Sequence, residues 1–391
     1  MRRVKAAALR WDELALVPPT LMTAGLLALA AVAAVPAQSA EITEQSEQAD
    51  FKVVPLTEGL DHPWGLAFLP DGGMLITERS GDLRLFKDGR LESGAVAGVP
   101  EVAARGQGGL LDVAVHPSFA ENGLIYLSYA GPGEGGASTE VARGRLDGMT
   151  LQDVEVIFRA TPKSGGTGHF GSRLVFDRDG KLFISLGDRR QIRESQNLGN
   201  HIGTVIRLND DGSVPEDNPF LGQAGALPEI YSYGHRNVQG MTLHPVSGEI
   251  WSHEHGPRGG DELNLVKAGA NYGWPVITYG IDYSGAIITD KTEAPGMEQP
   301  IVYWDPSIAP SGMAFYDGDQ FPEWQGDLFI GALAHLHLRR LEMEGGQVVG
   351  QESLLTGLNE RIRDVRNGPD GYLYVLTDSS NGQLLRLEPA S

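Results

Sequence analysis

The chain repeats one short pattern six times along its length. Each copy has an apolar run, a turn of Pro, Asp, Asn and Gly, and a second apolar run. The copies are GLAFLPDGGMLITE from Gly65, GLLDVAVHPSFAENGLIYLSY from Gly109, SRLVFDRDGKLFISLGD from Ser172, GMTLHPVSGEIWSHE from Gly240, GMAFYDGDQFPEWQGDLFIGA from Gly312 and IRDVRNGPDGYLYVLTD from Ile362. Such a repeat predicts a radial or stacked array of units, with the functional site where the copies converge. Residues that depart from the shared pattern are therefore the first candidates for chemistry.

The copies favour short strands over helices. Their apolar runs are rich in Leu, Ile, Val, Phe and Tyr, and Asp71-Gly72-Gly73, Asp179-Gly180 and Pro369-Asp370-Gly371 lie between runs. These are predicted hairpin turns, because left-handed turn positions require Gly or Asx. The copies begin roughly 45 to 70 residues apart, and one four-stranded propeller blade needs about 40–50 residues.

The prediction is an all-β fold, a six-bladed β-propeller of four-stranded antiparallel blades. A pair of β-sandwiches or a β-helix is the alternative. The extra residues of the longer copies are assigned to loops around 131–139, 189–223 and 276–298.

Composition removes several classes of function. The net charge of −20 argues against a nucleic-acid partner, because phosphates bind basic surfaces. The absence of cysteine removes thiol catalysis, iron–sulfur clusters and disulfides. Gly131, Gly133 and Gly136 match a dinucleotide fingerprint by spacing, but no helix-forming stretch follows them.

The N-terminus is typical of an export signal, which we place at residues 1–40. An apolar run of about 15 residues follows a basic segment and precedes small residues. A bilayer span needs about 20 residues, so a retained anchor, with transient membrane association, is the less favoured alternative. Residues 41–50 are polar and acidic and are predicted to be a flexible tether, and residues 51–391 to be the propeller. The expected location is periplasmic or secreted. The basic segment of this predicted signal contains Arg2, Arg3, Lys5 and Arg10.

Two segments carry polar residues next to turns. His169 lies among glycines in GGTGHFGSRLVF, where a ligand can approach closely and an imidazole can act as a base near neutral pH. Arg236 and Asn237 lie in YGHRNVQG, and a multi-donor guanidinium beside an amide suits an electronegative oxygen. An ordinary loop histidine and an arginine that braces two blades are the structural alternatives.

A third segment suggests a hard cation. In HEHGP the carbonyls of Gly256 and Pro257 have little steric cover, which suits calcium. His253 and His255 share one strand face, so a transition-metal site is a weaker alternative.

Arg361 and Arg363 are two residues apart, and side chains at that spacing share one face of a strand. Two guanidiniums on one face favour an anion between them, such as a polycarboxylate or phosphate. Salt bridges to Asp364 and Glu360 are the alternative.

These segments together resemble the soluble pyrroloquinoline-quinone (PQQ)-dependent sugar dehydrogenases, on the aldose sugar dehydrogenase side of that family. The resemblance runs from about Leu60 to Leu387. It is carried by HPWGLAFLPDG, GQGGLLDVAVHP, GTGHFGSRLVF, RLNDDGSVPEDNPF, YSYGHRNVQG, EHGPRGGDELN with NYGWP, and RIRDV.

The resemblance implies oxidation of an aldose at C1 to the lactone, with hydride transfer to the quinone and electrons passed to an unknown external acceptor. His169 would be the general base. Arg236 and Asn237 would hold the quinone oxygens, Gln107 would touch the cofactor, and Arg361 and Arg363 would bind its carboxylates. Ca²⁺ would bind the carbonyls of Gly256 and Pro257.

The chain also departs from the family pattern. Members commonly place a lysine where this chain has Ala334 or His335, so one cofactor carboxylate is expected to lose its cation. His255 stands where glucose-specific relatives have an amide, and the loop before His169 lacks their acidic residue. A calcium-dependent propeller lactonase and a non-catalytic binding module are the alternative functions.

Overall fold

The structure, a computed structural model, describes residues 42–390, and this part of the chain forms six antiparallel β-sheets. In chain order the strands are β1 Ile42–Glu44, β2 Phe51–Leu60, β3 Pro63–Phe68, β4 Met74–Glu78, β5 Leu83–Lys87, β6 Arg90–Leu91, β7 Leu110–Val115, β8 Leu124–Gly133, β9 Gly136–Asp147, β10 Thr150–Arg159, β11 Leu174–Phe176, β12 Leu182–Ser185, β13 Thr204–Leu208, β14 Ile230–Tyr233, β15 Val238–Leu243, β16 Ile250–Glu254, β17 Asp261–Leu265, β18 Val302–Trp304, β19 Pro310–Phe315, β20 Leu328–Ala332, β21 His337–Glu344, β22 Gln347–Leu354, β23 Ile362–Asn367, β24 Leu373–Thr377 and β25 Gly382–Pro389. Helical turns are short: α1 Phe119–Asn122 and 3₁₀ turns at Ile192–Gln196, Pro322–Trp324 and Thr356–Leu358.

The sheets are the blades of a propeller, as predicted. Blades 1 to 5 are consecutive four-stranded meanders, beginning with β3, β7, β11, β15 and β19. Blade 6 takes β23, β24 and β25 from the end of the chain and β2 from its beginning, with Phe51 paired to Pro389 and Val53 to Leu387. The ring is therefore closed by backbone hydrogen bonds between the two ends of the propeller.

Each of the six sequence copies is the first two strands of one blade. The second strands β4, β16, β20 and β24 are buried at every residue. Both faces of a blade are covered by its neighbours, so these strands are apolar runs rather than alternating ones. The hydrophobic clusters lie between the blades; one of them packs Phe51 of blade 6 against Trp324 of blade 5, with ring centroids 5.6 Å apart.

Several boundary predictions need correction. Residues 42–44 are not a free tether, because β1 pairs with β2 and the Glu44 carboxylate accepts a hydrogen bond from the Leu355 amide at 2.7 Å. The segment 131–139 is the end of the long β8–β9 hairpin rather than a loop, and 189–223 contains β13. The loop at 276–298 is confirmed, since it contains no strand.

The predicted export signal lies outside the described residues. None of the helices in residues 42–390 has the length and apolar character of a membrane-spanning segment.

Candidate active site

A cavity of about 290 Å³, here called the upper cavity, lies where the first strands of the blades converge. This is close to the lower end of the volumes of small-molecule pockets, about 300–1,000 Å³. Of the predicted site residues, Gln107, Arg361 and Arg363 line it. Arg236 and Gly256 line a small adjoining pocket, and His255 belongs to both walls.

His169 does not itself line the upper cavity, but it directly precedes Phe170, which does. The φ of His169 is +58°, a left-handed conformation that is costly for a residue with a Cβ. Two side chains hold the loop in this conformation. The Gln107 side-chain oxygen accepts a hydrogen bond from the His169 amide at 2.7 Å, and the Arg189 guanidinium donates to the carbonyls of Gly166 and Gly168.

Asp188, which the sequence analysis did not single out, orients the His169 ring. Its Oδ1 lies 2.6 Å from His169 Nδ1, and its Oδ2 accepts from the Trp274 indole at 2.9 Å. With Nδ1 facing a carboxylate, that nitrogen carries the proton, and Nε2 is left as the basic nitrogen. Burial lowers the pKa of His169, the charge of Arg236 lowers it further, and Asp188 offsets part of this effect. The imidazole is therefore neutral near pH 7 and able to accept a proton.

Arg236 and Asn237 occupy the turn that leads into β15. Arg236 donates through Nη1 to the His255 carbonyl at 3.0 Å, and its amide donates to the Glu254 carboxylate. Asn237 Oδ1 accepts from the Gly171 amide at 3.2 Å, while its buried Nδ2 has no partner in residues 42–390. An amide group with an unused donor is typical of a ligand site.

Arg361 and Arg363 both line the upper cavity, as predicted from their spacing. They bind the carboxylate of Asp378, at 3.2 and 2.7 Å, rather than Asp364 or Glu360 as the alternative supposed. Burial raises the pKa of Asp378, but the arginine charges outweigh it and hold the pKa well below its ordinary value. One carboxylate pairs with two guanidiniums, so the net charge of this wall of the cavity stays positive.

The expected loss of a lysine is also visible. Ala334 lines the upper cavity and presents no charge, and His335 is not part of the wall. A third guanidinium that the sequence analysis missed, Arg79, follows β4 and lines the cavity beside Trp64. The site therefore contains a cation in a place that the motifs did not indicate.

The loop after β16 presents two carbonyls. The Gly256 amide donates to Asp261 Oδ1 at 2.8 Å, which fixes the turn. The carbonyl oxygens of Gly256 and Pro257 accept no hydrogen bond from any described residue. Burial, and then the charge of Glu254, raise the pKa of Glu262 in the adjoining pocket to about 8.

No group of three or more His, Cys, Asp or Glu side chains in residues 42–390 is placed to hold a metal ion. The proposed histidine-ligated metal gains no support, since His253 is buried without hydrogen bonds to its ring and His255 Nε2 contacts the Pro310 carbonyl at 2.6 Å.

Charged residues close the bottom of the upper cavity. The third position of the first strand is Gly in blades 1, 4 and 5, but Asp112 in blade 2 and Asp364 in blade 6, and Arg173 precedes β11 in blade 3. Arg173 Nη1 lies 3.0 Å from Asp112 and 3.1 Å from Asp364, and Arg366 binds the same two carboxylates. We call these four residues the axial ion cluster. On its far side lies a lower channel of about 360 Å³.

Several known proteins are similar to this chain in both sequence and fold. The chain is 51% identical over 347 residues to the aldose sugar dehydrogenase YliI of Escherichia coli, with 87% of this chain and 94% of that protein covered. A crystal structure of a glucose dehydrogenase matches with TM-score 0.85 and 55% identity, covering 87% of this chain and 99% of that one. The PQQ-bound form of an aldose sugar dehydrogenase from Streptomyces coelicolor matches with TM-score 0.71 and 28% identity, over 88% and 99% of the two chains.

The six-bladed propeller and its similarity to these dehydrogenases define an oxidoreductase that acts on sugars. The glucose/sorbosone dehydrogenase family model matches residues 60–386, and the chain belongs to that family. This range agrees with the resemblance found from the motifs.

Proposed function

We propose that the chain oxidises aldose sugars at C1 to lactones, with PQQ bound in the upper cavity and Ca²⁺ at the carbonyls of Gly256 and Pro257. The observation that carries the proposal is the charge of the cavity wall. It contains three arginines and no acidic residue, beside a histidine held by Asp188. A cationic wall next to a positioned base suits a ligand with several carboxylates and a substrate that must lose a proton.

The residues fit such a cofactor. Three buried donor atoms near the cavity have no hydrogen-bond partner in residues 42–390: Arg79 Nε, Asn237 Nδ2 and Arg363 Nε. A ligand rich in oxygen acceptors would satisfy them, since buried polar groups are rarely left unpaired. The two carbonyls without partners, at Gly256 and Pro257, are oxygen ligands of the kind that calcium prefers.

In the proposed reaction His169 Nε2 accepts the proton of the anomeric hydroxyl. Asp188 stabilises the imidazolium that forms, because its carboxylate contacts Nδ1. Arg236 and Asn237 donate to the oxygen on which negative charge develops. PQQ would supply the two-electron acceptor for the hydride of C1, and Ca²⁺ would supply Lewis-acid polarisation.

The test is reconstitution of the purified protein with PQQ and calcium, followed by dye reduction with several aldoses. We expect sugar-dependent reduction and a change in the quinone absorbance. No activity together with an unchanged quinone spectrum would refute the proposal. Hydrolysis of a sugar lactone without quinone would favour the lactonase instead.

We also propose that the protein is exported and that residues 1–40 are removed. N-terminal sequencing of protein recovered from the periplasm or medium tests this, and an intact Met1 in that fraction would contradict it.

A further inference from the structure

The wall of the upper cavity carries more positive charge than its contacts neutralise. Of its three guanidiniums, Arg361 and Arg363 share the carboxylate of Asp378. Arg79 makes no salt bridge and no side-chain hydrogen bond to any of residues 42–390, and its buried Nε has no partner. A partly buried guanidinium without an anion is unfavourable, because its desolvation is not offset.

The position of Arg79 is fixed by its backbone. It follows β4 directly, its amide donates to the His62 carbonyl at 3.3 Å, and its carbonyl accepts from the Leu110 amide at 3.3 Å. These contacts join Arg79 to blade 2 on one side and to the loop after β2 on the other. A side chain on such an anchored backbone costs less to order on ligand binding than one on a mobile loop.

The arginines also repel one another. Burial lowers the pKa of Arg363, and the charges of Arg361 and Arg79 act in the same direction. Three like charges around one cavity are stabilised by an anion that contacts all of them. Ala334, at the position where related enzymes are expected to have a lysine, lines the same cavity and adds no cation to it.

We propose that Arg79 is a third guanidinium of the polycarboxylate site and binds a carboxylate of an aromatic tricarboxylate ligand in place of the absent lysine. The identity of that ligand as PQQ rests on the proposed function, but the charge argument applies to any ligand of the same chemistry. Arg79 is thus a ligand-binding residue, separate from the pair held by Asp378.

Binding measurements on the calcium-loaded protein without quinone test the inference. PQQ and pyridine-2,4,6-tricarboxylate are each titrated by calorimetry into the wild type, Arg79→Gln, Arg79→Lys and the control Arg84→Gln. Arg84 lies on β5 of the same blade and pairs with Glu78 at 3.3 Å, and it does not line the cavity. Thermal unfolding of each variant shows whether the fold is retained.

We expect Arg79→Gln to weaken the binding of both ligands by roughly 10-fold or more, as for a lost charge-assisted hydrogen bond. Arg79→Lys should recover part of the loss, and Arg84→Gln should bind like the wild type. Equal binding by a folded Arg79→Gln variant and the wild type would overturn the inference and leave the proposed function standing. Arg79-dependent binding of pyridine-2,4,6-tricarboxylate without any binding of PQQ would support the inference and refute the proposed cofactor. Absence of binding of either ligand to the wild type would overturn both.

Discussion

Replacement of Asp188 by Asn tests whether His169 is held as a base. The carboxylate accepts from His169 Nδ1 at 2.6 Å through one oxygen and from the Trp274 indole at 2.9 Å through the other. An amide has the same shape but only one acceptor oxygen. If that oxygen faces His169, the amide nitrogen opposes the indole donor. If the nitrogen faces His169, the imidazole must move its proton to Nε2 and can no longer accept one there.

The magnitude follows from the lost contact. A hydrogen bond to a charged group contributes about 1.5–3 kcal/mol, and each 1.36 kcal/mol corresponds to a tenfold change in rate. The expected fall in kcat is therefore roughly 10- to 150-fold, and larger where the unproductive tautomer predominates. Quinone binding should change little, because Asp188 does not line the upper cavity.

The effect of Asp188→Asn on the pH dependence of kcat has a definite direction. Burial lowers the pKa of His169, Asp188 raises it, and the charges of Arg236 and Arg190 lower it further. Loss of the carboxylate charge leaves only the lowering effects, so the acidic limb of the kcat profile should move to lower pH. The assay is steady-state dye reduction from pH 4 to 9, with Asp179→Asn on the exposed turn of the same blade as control. A limb that stays in place or moves to higher pH would show that Asp188 does not act on the base.

Further changes give distinct outcomes. His169→Gln should abolish turnover while PQQ binding, followed by absorbance, is largely kept; an equal loss of binding would contradict its assignment as the base. Gly65→Ala should lower the free energy of unfolding by about 1–3 kcal/mol in urea, because the added Cβ would lie 2.7 Å from Asp112 Oδ1 and 3.1 Å from backbone atoms; unchanged stability would argue against this packing. Asp378 has a depressed pKa in the folded protein, so its contribution to stability is present above the unfolded pKa of about 3.9 and is lost as pH falls below it. Asp378→Asn should therefore be less stable than the wild type at pH 7 and should lose less stability on acidification, as measured by urea unfolding between pH 3 and 7. Chelation of calcium should remove dye reduction and its re-addition restore it, whereas full activity in chelator would contradict a metal at Gly256 and Pro257.

The sequence predicts the fold well because each blade contributes one recognisable copy. Hairpin turns at Asp71-Gly72-Gly73, Asp179-Gly180 and Pro369-Asp370-Gly371 join the first two strands of their blades. The outer strands have no such signature. The glycine-rich segment 131–139 therefore resembles a loop in sequence, although backbone pairing continues through it to the end of the β8–β9 hairpin.

Asp188 could have been found from the repeat itself. Four copies end on an acidic residue, at Glu78, Asp188, Glu254 and Asp378. Each binds a cationic or imidazole side chain. Glu78 contacts Arg84, Asp188 contacts His169, Glu254 contacts His235, and Asp378 contacts Arg361 and Arg363.

Arg79 could not have been found in this way. It follows the acidic residue of its copy and resembles an ordinary turn residue in sequence. Arg79 lines the cavity because of the way blades 1 and 2 pack against each other, and no local sequence pattern predicts that packing.

The axial ion cluster determines how ligands reach the upper cavity. Along β3, β7 and β23, the residue before the cluster position lines the upper cavity and the residues after it line the lower channel. Asp112, Arg173 and Asp364 fill the level between them and are at most 1% exposed. The glycines at the same level leave room for these side chains, because a Cβ at Gly65 would meet Asp112. The cluster therefore separates the two spaces.

A cavity closed at one end has consequences for kinetics. In the proposed function, the sugar and the external electron acceptor reach the upper cavity by the same mouth, where Tyr283 is 63% exposed, because the axial ion cluster blocks the other route. We therefore expect the lactone to leave before the acceptor enters, giving parallel double-reciprocal plots when sugar and dye concentrations are varied together. High sugar should compete with the acceptor for the reduced enzyme, and high acceptor should compete with sugar for the oxidised one. Intersecting plots without such mutual inhibition would mean that both ligands bind at once and would contradict this order.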